Sequence, residues 1–96
     1  MTVMGKAASH FIRCSGHVYH LHYMEWDENG RLSGIFPLRE EIAGVVFFNG
    51  TLVPVPSACL PEKDLQEEDL QELSAKVETG STIHLFHIDQ KMTKVF

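Results

Sequence analysis

Six histidines in 96 residues are the side chains of this protein best suited to chemistry, and five of them fall into two short runs, His17, His20, His22 and His84, His87. In an extended strand the two-residue spacing of His20 and His22 puts both rings on one face, about 7 Å apart. One more imidazole from a neighbouring strand would complete a site for zinc or another divalent transition metal. His84 is the candidate third ligand if its strand pairs beside theirs. An H-x-H pair arises in any alternating strand that holds two histidines. The competing reading is therefore half-exposed strand residues hydrogen-bonded to backbone or carboxylate groups.

The other reactive side chains point to no reaction. Cys59 sits in a proline-bounded loop just before an acidic segment, and neighbouring acids raise a thiol's pKa rather than activate it. With Cys14 it makes two cysteines without CxxC spacing, so neither a zinc ribbon nor a redox motif is present; two unpaired buried thiols are the first reading and a single disulfide between them is the alternative. Ser57 lacks a G-x-S-x-G context. A carboxylate in an apolar setting is hinted at only by Glu25 beside Trp26. There is no G-x-G-x-x-G, P-loop lysine or H-E-x-x-H, so no catalytic or cofactor-binding residue is assigned and the sequence leans away from an enzyme without deciding the question.

The elements that would position these groups are mostly strands, within one domain spanning residues 1–96. Met1 to Ser9 is small and polar and reads as a flexible or edge tail. Phe11 to Trp26 reads as extended chain interrupted at Ser15-Gly16. Asn29-Gly30 lies between two strand-like runs and predicts a β-hairpin with a return strand over Arg31–Leu38. Ile42–Phe48 is β-branched and aromatic, Asn49-Gly50 repeats the hairpin signal, and Thr51–Val55 returns. After Pro54, Pro56 and Pro61 comes one helix, capped by Glu62 or Asp64, with an apolar stripe of Leu65, Leu70, Leu73 and Val77 and a stop at Thr79-Gly80. Strands over Thr82–Ile88 and Met92–Phe96 flank a turn at Asp89–Lys91. The expected class is α+β: a mostly antiparallel β meander forming a curved sheet or partial barrel, with one amphipathic helix.

Charge narrows the partners. Between Glu62 and Glu78 there are seven acids against two lysines, which accounts for the whole net charge of −5. No basic stripe is present to neutralise phosphates, so binding to nucleic acid or to an anionic membrane surface is not expected. No apolar run approaches the ~20 residues of a membrane span, and the first ten residues lack a signal-peptide core. A cytoplasmic location is the default expectation.

Asp27-Glu28-Asn29-Gly30-Arg31-Leu32, followed by Phe48-Asn49-Gly50-Thr51-Leu52-Val53-Pro54, resembles the N-terminal composite β-domain of the metal-dependent amidohydrolases. In that family a hairpin of the Asp-x-x-Gly-Arg type and a strand ending in Leu-Val-Pro lead into the catalytic barrel. The similarity covers about a third of this chain. It departs where the family's metal-binding H-x-H would follow, because here the sequence runs Val55-Pro56-Ser57-Ala58-Cys59. The resemblance thus implies an accessory sheet without the barrel, and no metal ligand or amidohydrolase activity carries over.

Phe47 and Phe48 are adjacent in a strand and must point to opposite faces. Either the strand is covered on both sides, or one ring lies in an interface with another chain. The leading expectation is a non-catalytic interaction domain that forms a homo-oligomer or docks on another protein. The alternatives are the histidine metal site and a small-ligand pocket in the mouth of the sheet, lined by Trp26, Tyr19 or Tyr23, and Phe47 or Phe48.

Overall fold

A computed structural model describes residues 3–40, 43–59 and 65–96. The strands are β1 (Val3–Cys14), β2 (His17–Asp27), β3 (Leu32–Pro37), β4 (Val45–Pro56), β5 (Ile83–Asp89) and β6 (Lys91–Lys94), and the one α-helix among the described residues is α1 (Glu67–Ser74). They form a single mixed sheet in the order β3-β2-β1-β4-β5-β6, in which β1 and β4 run parallel and every other pair is antiparallel. The class is small α+β, as expected.

The sheet is not closed, but its strands meet again at one corner. Arg31 bridges Thr82, Leu32 N–H donates to the Ser81 carbonyl at 2.9 Å, and Ile83 N–H donates to the Gly30 carbonyl at 2.8 Å. Since β3 and β5 stand four places apart in the sheet order, these bonds require the sheet to curl.

The curl divides the core. Its inner face collects Ala7, Ile12, Cys14, Met24, Leu32, Leu52, Ile83 and Leu85. On the outer face Val53, Val55 and Phe86 pack with Leu65, Leu70 and Leu73 of the helical segment. Adjacent residues such as Leu52 and Val53 thus enter different cores, as strand alternation requires. Leu70 is the only large apolar side chain of α1 that is fully buried. The Gln66 N–H donates to the Asp69 carboxylate at 3.0 Å, which satisfies a free donor at the start of α1. The expected caps Glu62 and Asp64 lie outside the described residues. Val77 does not extend the helical stripe: α1 ends at Ser74, and Val77 turns into the inner core.

Three further expectations are corrected. Residues 3–9 are no tail, because β1 begins at Val3 and is a central strand between β2 and β4. Its Ala7 and Ala8 are buried beneath larger neighbours; small side chains are what let a central strand pass there. Asn49-Gly50 is no hairpin either: β4 runs straight through it, and the β1–β4 register slips by one residue between Ser9↔Phe48 and Phe11↔Thr51. Gly50, at φ 92, supplies the left-handed turn of a bulge. The expected single meander is therefore split into two antiparallel runs, β1–β2–β3 and β4–β5–β6, joined by the parallel β1–β4 pair.

The hairpins that do form have local causes. Ser15 and Gly16 (φ 56 and 81) make the two-residue β1–β2 turn, held by Ser15 N–H to the Ser74 carbonyl at 2.8 Å and by the Ser15 hydroxyl to the Val77 carbonyl. At the β2–β3 turn the carboxylate of Asp27, 1% exposed, accepts from the N–H groups of Asn29 and Arg31 at 2.9 and 3.0 Å.

Candidate functional site

Leu21 decides the fate of the histidines. Its φ of 50 interrupts the alternation of β2. His20 consequently pairs with Phe11 on the outer face, their ring centroids 4.8 Å apart, whereas His22 pairs with Ser9 and stacks on Tyr19 of the inner face at 5.1 Å. The His22 Nδ1 lies 2.8 Å from the His20 carbonyl oxygen. His84 is on β5, separated from β2 by β1 and β4, with its nitrogens 3.3 Å from the Ser57 hydroxyl and 3.3 Å from the Phe96 carbonyl. The structure therefore does not bring His20, His22 and His84 together, and among the described residues no three His, Cys, Asp or Glu side chains are placed to hold a metal ion.

Five of the six histidines, all but His84, pack on aromatic rings. His10 meets Phe47, His17 and His22 meet Tyr19, His20 meets Phe11, and His87 meets Phe48, with centroids 4.8–6.1 Å apart. His87 also reaches the Asn49 carbonyl at the β4 bulge. The sequence signal for this role was the interleaving of His with Tyr and Phe rather than the H-x-H spacing.

Cys14 is a free, buried thiol whose pKa is raised by desolvation, partly offset by the Ser15 hydroxyl. It is therefore held as the thiol at neutral pH, with 2% of its surface exposed. Mass-spectrometric mapping is expected to show Cys14 alkylated by iodoacetamide on the order of 100-fold more slowly in the native protein than in urea, since labelling must await opening. Equal rates would place Cys14 outside the inner core. The side chain of Cys59 lies outside the described residues.

Among the described residues, two places stand out as open surfaces. The first is the outer face of β3, β2, β1 and the start of β4. Cross-strand pairing sets Phe36, Tyr23, Ala8 and Phe47 in one row across these four strands, with Phe11, His20, Arg13 and Val18 in rows beyond. The outer core under α1 covers only the far end of this face. Phe47 remains 47% exposed, and Phe11, Phe36 and Val18 are exposed as well. Of the pair marked in the sequence, Phe47 thus faces outward, while Phe48 turns inward and is half buried.

The second is a cavity of about 270 Å³ on the inner side, at the open end of the curl. It is lined by Gly5, Lys6 and Ala7 of β1, Trp26 of β2, Gly44, Val46 and Phe48 at the start of β4, and Val95. Trp26 and Phe48 were legible as pocket residues. Tyr23 and Phe47 belong to the opposite face, and Tyr19 is not in the wall. The small residues of the wall, Gly5, Ala7 and Gly44, carried no such signal.

A smaller cavity of about 160 Å³ lies between the β1–β2 turn and the end of α1, lined by Arg13, Cys14, His17, Gln71 and Ser74 among others. The carbonyl end of α1 contributes to its wall, and that pole opposes an anion beside Arg13.

No described helix is long and apolar enough to cross a membrane. Against known proteins, no family model, no curated protein and no solved structure matches this chain, so its functional reading rests on the two open faces just described.

Proposed function

We propose that this protein is a small, non-catalytic interaction or accessory domain that self-associates through the outer face of β1–β4. The observation that carries the reading is the row Phe36–Tyr23–Ala8–Phe47, apolar on a face that α1 covers only at its other end. Such a surface is costly to leave in water and is typical of a docking site. Its strand-built form suits a second copy of itself, and the acids of α1 lie outside it. The accessory-sheet resemblance seen in the sequence fits the same role.

Sedimentation velocity over a concentration series tests it. The wild type is expected to form a dimer, and Phe47→Glu to weaken that dimer by at least about 30-fold, the loss typical of a buried aromatic anchor. Because Phe47 is exposed, the variant's melting curve should stay within about 0.5 kcal/mol of wild type. A monomer at every concentration, with nothing retained by the immobilised protein, would sink the proposal.

The inner cavity favours a second reading, a small-molecule site. Its wall contains two of the aromatic residues that the sequence marked for one, Trp26 and Phe48.

A further inference from the structure

We infer that the inner cavity takes a small planar aromatic molecule carrying one hydrogen-bond acceptor such as a carboxylate. The inference rests on the small-molecule reading and supplies its ligand class.

Two glycines in the wall do different things. Gly44, at φ 82, has no atom within 4 Å of where a Cβ would stand. Gly5 lies directly beneath the indole of Trp26, with no room for a side chain between them. The ring of Trp26 also leans on Phe96, centroids 4.8 Å apart and planes 38° from each other, so it is held in place before any ligand arrives. Phe48 is steadied in the same way by His87. Two fixed aromatic rings beside two glycines favour a flat guest that can lie against them.

Val46 supplies the driving force. Pairing with Ala7 places it on the inner face, yet it is 59% exposed, the most exposed large apolar side chain among the described residues. Filling the cavity would cover it. The volume lies at the lower edge of ligand pockets, which suits a one- or two-ring compound and excludes long acyl chains.

The acceptor is set by Trp26 Nε1–H. No described residue accepts from it, and it borders Gly5 at the cavity wall. Lys6 also lines the cavity, but its amine is engaged with Glu25 at 3.9 Å, leaving little net charge for a multiply charged ligand. One acceptor on an otherwise apolar ring fits this arrangement.

Trp26 is the only tryptophan in the chain, so ¹⁵N-labelled protein gives a single indole N–H resonance that reads the site directly. Titration with 2-naphthoate is expected to move that resonance and the amides of Gly5 and Gly44 saturably, with a Kd between about 10 μM and 1 mM. Amides of the outer row should stay in place. Val46→Phe, which fills the cavity from an exposed position, should weaken binding at least about 10-fold, while Phe47→Ala should leave it unchanged. Naphthalene, which lacks the acceptor, should bind at least about 10-fold more weakly than 2-naphthoate. Equal binding of the two compounds, or an unchanged titration in Val46→Phe, overturns the inference. Saturable shifts at the same amides with dodecanoate but not with 2-naphthoate also overturn it and leave a small-molecule site of another class. No saturable shift with any of these compounds rejects that reading together with the inference.

Discussion

Gly50→Ala is expected to destabilise the protein by about 3 kcal/mol, lowering its melting temperature by roughly 12–24 °C. Two costs combine. Gly50 adopts φ 92, a conformation that L side chains rarely occupy. An added Cβ would also collide with the backbone carbonyl of Ile88 and approach the Cβ of Asp89 at 3.1 Å. A backbone atom in a paired strand cannot swing aside as a flexible side chain would. Gly80→Ala is the control: its φ of 93 is nearly the same, but nothing stands within 4 Å. It should cost only about 1 kcal/mol. Thermal melts of both variants separate the dihedral cost from the collision. Equal losses would mean that β4 and β5 do not pair in the register that sets Thr51 opposite Ile88.

The same residue shows where sequence reasoning stops. Asn-Gly announces a positive φ, and it does so correctly at both Gly30 and Gly50. Whether the chain then reverses depends on partners distant in sequence. After Asp27 it reverses, because a buried carboxylate gathers two N–H groups of the turn. At Asn49-Gly50 both flanking runs instead pair with the parallel strand β1, and the extra residue is absorbed as a bulge. That strand was itself hidden, since Ala7 and Ala8 look like tail residues until Met24, Tyr23, Val46 and Phe47 are known to lie beside them. Period-2 reasoning failed on the histidines for one reason, the positive φ of Leu21, for which leucine gives no warning. The burial of Leu70 and the opposite facing of Phe47 and Phe48 were legible, because they follow from apolar spacing and strand alternation. The close approach of Gly5 to the Trp26 ring was not, because a glycine carries no pattern.

Leu70→Ala is expected to cost about 2–4 kcal/mol and to loosen one part of the molecule more than the rest. Leu70 is 0% exposed and packs with Val53, Val55 and Phe86 on the outer face, whereas no other large apolar residue of α1 is fully buried. An eight-residue helix is too short to persist in water by its own propensity, so this contact is what keeps it formed. Truncation should therefore release α1 while the inner core survives. Hydrogen exchange would read this as lost protection over Glu67–Ser74, with β1 and β2 retaining theirs at moderate temperature. The newly bared Val53, Val55 and Phe86 would join the already open outer face, so the variant should aggregate or self-associate more strongly than wild type. Adding Phe47→Glu to Leu70→Ala separates the two regions: association through the outer row should fall, and association through the uncovered α1 site should persist. A loss below about 1 kcal/mol with α1 still protected would show that the helix is held by something other than Leu70, and the division of the fold into two cores would have to be redrawn.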